Sequence, residues 1–318
     1  MTMQDLFRSK RSRRSPGLPH TSRRICLAAL FLLAASSLLG AQNCTPPESM
    51  KAKLQDKPNA AVFNDLGVWF ADKEQYACAA NAFASSLQMD SEQPDAAHVV
   101  FMFGVSLYFS GDAREAIAAL QQAEQLGSND LKIHTILATA LDSTHETAGA
   151  IAEWRAALAF DPESSTVLDS LSSDLLLAND FQGTIDVLKT PRLLGQRTQQ
   201  QSANLATACT KTGKLDEAAN VLRDSLNIAP DSLPLVHQLA AILVELGRLE
   251  ETATALELAL AHHPDDALTH EALGVVLARL KQMAGAKEHL ERAIALGDNT
   301  PAVKENLARV LAALGAEK

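Results

Sequence analysis

Aromatic residues are scarce in this chain: two Trp, two Tyr and ten Phe among 318 residues. Strands draw on aromatic and β-branched side chains, so the shortage argues against a β-rich fold. The dominance of Ala and Leu within the 47% apolar fraction favours helices. Few of the 15 Gly and 12 Pro interrupt the apolar runs. Cysteine is equally sparse. Cys26 lies in an N-terminal apolar run, and the remaining Cys44, Cys78 and Cys209 are an odd set, so no disulfide framework is evident. A Cys44–Cys78 bridge would require an oxidising compartment. Cys44 follows AQN, which does not match the small-residue motif that precedes a lipidated cysteine.

Catalytic signatures are missing as well. The chain has no G-x-x-x-x-G-K-[ST], G-x-S-x-G, H-E-x-x-H, paired C-x-x-C or EF-hand loop. The adjacent His262 and His263 precede Pro264 and lack further metal ligands; they suit the negative end of a helix. No catalytic residue, cofactor or metal is therefore expected. Basic charge is short outside the N-terminus. Residues 1–41 hold seven Lys and Arg against one acid, and the remainder holds 21 against 37. An acidic body repels phosphate backbones, which excludes nucleic acid as an expected partner and suits solubility.

The basic head, Arg8 to Arg24, leads into the uncharged run ICLAALFLLAASSLLGA at 25–41. Basic, then apolar, then small residues is the order of a secretory signal, and 17 residues is short for a membrane span of about 20. Residues 1–41 are thus expected to be a signal peptide, cleaved after Gly40 or Ala41, or an uncleaved N-terminal membrane anchor. A twin-arginine signal at TSRRICLA and translation from Met50 are the other readings. Residues 42–59 follow as a linker.

What the chain does have is a repeat. Units begin near Ala60, Ala97, Leu131, Ser165, Gln199, Leu233 and Ala267, spaced by 37 once and then by 34 five times, with a half-unit from Pro301. Each unit carries two apolar patterns of helical period, A and B. In helix A a large residue precedes a small one, as in Leu66-Gly67, Phe103-Gly104, Leu137-Ala138 and Leu273-Gly274. In helix B a small residue is followed four later by a large one, as in Ala79 and Phe83, Ala116 and Leu120, or Ala150 and Trp154. This places Trp154 in the core. Gly111, Asn179, Gly213 and Gly247 are turn residues after helix A, and Pro162, Pro230 and Pro264 end helix B. Pro191 falls inside helix B of the fourth unit and predicts a helix cut short or kinked near Lys189, with a hinge or a tolerated irregularity as the two readings.

The 34-residue period, paired helices, Leu-Gly or Leu-Ala step, helix B alanine and terminal proline resemble the tetratricopeptide repeat over residues 60–314. The family's early tryptophan is replaced here by Phe63, Val100, His134, Leu168, Ser202, Val236 and His270, so the two histidines read as semi-buried packing. Cys209 stands where other units have leucine and reads as an inert buried thiol. The resemblance implies an all-α, right-handed superhelical solenoid of about seven helix pairs (60–93, 97–130, 131–164, 165–198, 199–232, 233–266 and 267–300). Residues 301–318 would form a capping helix, with Leu307, Ala308 and Leu311 inward.

The resemblance also implies a concave groove lined by helix A. Its expected partner-binding residues are an aromatic patch, Phe101, Tyr108 and Phe109, and a hydroxyl-rich wall of Thr135, Thr139, Asp142, Thr207, Thr210 and Lys211. His237, Ala241 and Glu245 of unit six, and Glu271, Val275 and Arg279 of unit seven, extend it. The aromatics would anchor a partner peptide or pack on the insertion before unit two or on the N-terminal segment. Lys132 and Lys211 stand alone, so no chaperone-tail clamp is implied. The implied function is a non-enzymatic scaffold that binds protein or peptide segments, exported to the periplasm or secreted. The alternative is a membrane-tethered accessory or regulatory subunit of an enzyme or export complex, held through residues 25–41.

Overall fold

The computed structural model describes residues 44–189 and 197–316. The N-terminal run at 25–41 and the Pro191 irregularity lie outside the described residues. Among those described there are sixteen helices and no strand, and no helix is long and apolar enough to cross a membrane. The short α1 (Glu48–Asp56) is followed by helix pairs: α2 (Ala60–Asp72) with α3 (Tyr76–Met89), α4 (Ala96–Ser110) with α5 (Ala113–Gln125), and α6 (Leu131–Ser143) with α7 (Thr147–Phe160). Next come α8 (Ser165–Leu177) and α9 (Phe181–Leu188), then α10 (Gln199–Lys211) with α11 (Leu215–Ile228), and α12 (Leu233–Glu245) with α13 (Leu249–His262). The last pair is α14 (Ala267–Arg279) and α15 (Met283–Ala295), and α16 (Pro301–Ala316) closes the series. Two compact units divide the chain at Val167 and Leu168.

Packing inside each pair follows from side-chain size. The small helix B residues Ala79, Ala116, Ala150, Thr184, Ala218, Thr252 and Ala286 are all fully buried. The large residues four positions on, from Phe83 to Leu290, are buried with them. A Cβ added at Gly67, Gly104 or Gly274 would lie 2.6–2.8 Å from Phe83, Leu120 or Leu290 respectively. The Leu-Gly step is thus the contact that lets helix A and helix B meet. Thr184 and Thr252 fit the same slot because each hydroxyl donates to the carbonyl four residues back, Asp180 and Arg248.

The helix ends have local causes. Asn59, Asp130, Thr198 and Asp266 accept backbone N–H bonds at the starts of α2, α6, α10 and α14. Helices α7, α11 and α13 each stop two residues before a proline. The turn from helix A to helix B has positive φ in all seven units. Gly111, Asn179, Gly213 and Gly247 supply it in four, and Glu74, His145 and Lys281 adopt it in three where the residue type gives no signal. Helix α9 ends at Leu188, after eight residues where its counterparts run for 13 or 14. Arg197 Nε donates to the Leu188 carbonyl (2.9 Å), and Lys189 pairs with Glu217, so cations stabilise the negative end of the short helix.

The closing helix differs from expectation. Its inward stripe is Val303, Leu307, Val310 and Leu314, while Leu311 is 44% exposed and Ala308 is exposed. The stripe begins at Val303 and continues at helical spacing, which turns Leu311 away from the core. Cys44 and Cys78 are joined in a disulfide, tying the segment before α1 to α3, and Cys209 is a buried free thiol whose pKa burial pushes up.

Candidate functional site

The aromatic patch is not an exposed anchor. α4 is apolar all round and correspondingly buried all round. Phe101 is only 6% exposed and Val105 is fully buried, with the Phe101 ring 6.2 Å from that of His98. Tyr108 and Phe109 are half-buried; Phe109 packs on Tyr76 and Tyr108, each at 5.2 Å between ring centres. The Tyr108 phenol is pushed above its ordinary pKa by burial first and by the Asp142 carboxylate second.

The hydroxyl wall has little left to donate. Thr135, Thr139, Thr207 and Thr210 each donate to the carbonyl four residues earlier, at 2.7–2.9 Å. Asp142 accepts from Trp154 Nε1 at 3.2 Å, which gives the buried indole its polar partner. Thr207 also accepts from Gln238 Nε2 at 2.9 Å, and Lys211 is exposed. The four threonine hydroxyls and Asp142 are therefore already engaged within the fold.

The same bonds form a ladder between successive A helices in the second unit. Asn204 Nδ2 donates to Ser172 (2.8 Å), Gln238 to Thr207, and His237 Nε2 to Thr269 (2.7 Å), whose hydroxyl donates to Asp266. Sequence reasoning missed these pairs. Their one available signal is a polar residue recurring about one period from a hydroxyl on the same helix face.

Where the ladder leaves room, two cavities open along α12, α14 and α16. One, of about 320 Å³, is lined by His237, Ala241, Val244, Leu268, Glu271 and Val275, with Arg279 at its edge. The next, of about 340 Å³, shares Val275 and Arg279 and adds Met283, Asn306 and Arg309. Leu268 is 54% exposed beside them. The expected groove positions His237, Ala241, Glu271, Val275 and Arg279 are thus brought together, whereas Phe101 and the threonines are not part of this trough. Glu271 is held above the usual carboxylate range by burial and by Asp298, to which it is hydrogen-bonded; Asp298 is held below it chiefly by the backbone N–H of Thr300.

The histidines carry more than packing. His263 Nε2 donates to the Asp231 carbonyl at 2.8 Å, while His262 is exposed. His134 lies against Glu124 and Glu153, and His270 against His289.

Comparison with curated proteins gives no match. Among solved structures, the fold resembles the C-terminal part of a repeat-containing protein from Cytophaga hutchinsonii, with TM-score 0.62, 12% identity, 76% of this chain and 98% of that one. It also resembles Naa15/Naa10 bound to HypK-THB, with TM-score 0.53, 18% identity, 79% of this chain and 39% of that one. A protein from Parabacteroides merdae matches with TM-score 0.49, 15% identity, 79% of this chain and 98% of that one. Family models described as Tetratricopeptide repeat match residues 101–165 and 237–301, and a second such model matches 203–232. On these matches, which take in about half of its length, and on its paired-helix architecture, the chain belongs to the tetratricopeptide repeat family.

Proposed function

We propose that the protein is a non-enzymatic scaffold that holds a partner protein segment along the helix A face of its last two units and closing helix. The family is generally a non-catalytic interaction fold. The observation that carries the assignment to this face is the pair of cavities that share Val275 and Arg279, the first of them lined also by Val244 and Leu268. An apolar floor gives a segment something to bury, and an exposed guanidinium at the edge favours a carboxylate on it. The helices on either side are already packed, so little ordering of the scaffold opposes binding.

A peptide library selected on the purified chain tests this. Ala241→Trp fills the trough from an exposed position, and Val275→Asp charges its floor. Either should weaken selected peptides at least tenfold while the helical circular dichroism is kept. Peptides that bind both variants as well as the parent would refute the assignment to this face.

We further propose that the protein is exported. The Cys44–Cys78 bridge supports an oxidising compartment and with it the reading of residues 1–41 as an export signal. A chain recovered from its native compartment should begin near Gln42 and show one reactive thiol, Cys209, on unfolding without reductant. Three reactive thiols would remove this support.

A further inference from the structure

Three side chains from three consecutive helices meet within the compact body that ends at Val167. Glu124 lies near the end of α5, His134 on α6 and Glu153 on α7. His134 Nδ1 is 2.8 Å from Glu153 Oε2 and 3.2 Å from Glu124 Oε1, and one ligand atom from each residue lies within 4.8 Å of the other two. His134 is only 8% exposed, and both glutamates are half-buried.

Hydrogen-bond counting shows what is needed there. The other ring nitrogen, Nε2, is 2.9 Å from Asn129 Oδ1, an acceptor, so Nε2 carries a proton and donates it. The Phe160 ring stacks on the imidazole with centres 5.6 Å apart, which fixes its plane. A neutral imidazole held this way would direct the Nδ1 lone pair at two carboxylates. Between that lone pair and the two carboxylates there is room for either a shared proton or a metal ion. Both carboxylates lie within 3.2 Å of that one nitrogen, and a cation among the three groups offsets the repulsion between the two negative charges.

We infer that Glu124, His134 and Glu153 form a site for a divalent metal of the zinc type. One imidazole nitrogen and two carboxylate oxygens are ligands that zinc accepts, with a fourth position left to water. Zinc bonded at about 2.0–2.1 Å places tetrahedral ligand atoms about 3.3 Å apart; the two carboxylate oxygens lie 2.8 and 3.2 Å from Nδ1 and within 4.8 Å of each other. The Nε2–H bond to Asn129 is the outer contact that orients a ligating histidine.

Unit seven supplies an internal control. His270 occupies the position of His134 four periods on, and His289 that of Glu153, but Leu260 stands where Glu124 does. There His270 Nε2 donates to the Pro264 carbonyl (3.0 Å), and Nδ1 faces His289 Nδ1 (2.9 Å). A proton on His289 satisfies that pair with both rings neutral, so no cation is called for. The acid-lined arrangement belongs to unit three and is not a property of the repeat.

The test is zinc titration by calorimetry, at pH 7.5, of the full chain stripped with chelator and with its disulfide intact. One zinc per chain is expected, with a rise in unfolding temperature. Glu124→Gln and Glu153→Gln, close in shape and half-exposed, should each weaken uptake at least tenfold, and His134→Gln should abolish it. Replacing both His262 and His263 with alanine should leave it unchanged. Absence of zinc uptake by the folded parent overturns the inference and leaves a proton at Nδ1. Uptake at unchanged affinity in both glutamine-for-glutamate variants overturns it equally, even if His134→Gln does not fold.

Discussion

His134 and His270 hold the same place on helix A, four periods apart, and do different chemistry. The ring nitrogens of His134 face three acceptors: Asn129 Oδ1, Glu153 Oε2 and Glu124 Oε1. Around His270 a carbonyl takes one ring proton and a second imidazole completes the pair. The repeat determines where the side chain points. The helices before and after it decide whether that direction meets charge, and those positions carry no repeat signature. The difference teaches that a position variable in the repeat pattern can be the place where one unit departs from packing.

The comparison presumes that the two frames are equivalent, and core truncation tests that first. Leu137 and Leu273 are the fully buried large residues one turn beyond each histidine. Leu137→Ala and Leu273→Ala should each cost about 2–5 kcal/mol in denaturant unfolding at neutral pH. Costs that differ by more than about 1.5 kcal/mol, half the width of that range, would mean that the two units do not offer their histidines the same support.

Grafting comes next. Leu260→Glu combined with His289→Glu would surround His270 as His134 is surrounded. If the neighbours alone make the difference, the double variant should take up a second zinc per chain in the same titration. Uptake confined to one zinc would show that Asn129, which the graft does not reproduce, is also needed to aim the ring.

Acidification should separate the two sites without any substitution. Burial first, and His270 second, lower the His289 pKa from 6.5, although Glu288 and Glu257 oppose this. The unfolded chain then binds the proton more tightly than the folded one. This contribution is complete above pH 6.5 and is lost as pH falls from there towards the folded value. Glu124 has the opposite sign. Its folded pKa is raised above 4.5, so its contribution is present at low pH and is lost as pH rises through the window above 4.5. Urea midpoints across pH 5–7.5 should therefore show less acid sensitivity in His289→Leu than in the parent. Glu124→Gln should flatten the opposite slope at the acid end. Unchanged profiles in both would erase the electrostatic contrast.

Most of the fold was legible because it rests on residue size at fixed spacing. The slots filled by Ala116 and Leu120, or by Ala150 and Trp154, are visible in the sequence and buried in the structure. The end of α9 near Lys189 was also legible, because Pro191 has a mechanism of its own. The site was less so. Exposure of Phe101 was inferred from its repeat position, but α4 is apolar on every side and buries it. The threonines promised free hydroxyls, and their own helix carbonyls take them. The trough came through where expected positions are small or aliphatic, Ala241 and Val275, since such side chains leave space. The His134 cluster was not legible. Glu124 and Glu153 are 29 residues apart at helix B positions outside the apolar pattern, and only packing brings their oxygens to one nitrogen.

The smallest expected effect concerns the turns that follow the two histidine helices. His145 and Lys281 sit at equivalent places, with φ of 63° and 62°, and both hold the left-handed conformation at a cost of about 1–2 kcal/mol for a residue with a Cβ. Each turn sets the direction in which helix B departs, and so where Glu153 and His289 arrive. Glycine removes the cost but adds freedom to the unfolded chain, which takes back about 0.4–1 kcal/mol. His145→Gly and Lys281→Gly should therefore each stabilise the fold by at most about 1.6 kcal/mol, and by equal amounts, as read from denaturant midpoints. A gain at Lys281 with a loss at His145 would assign the His145 side chain a stabilising contact of its own. It would also mean that unit three differs from unit seven in its turn as well as at its histidine.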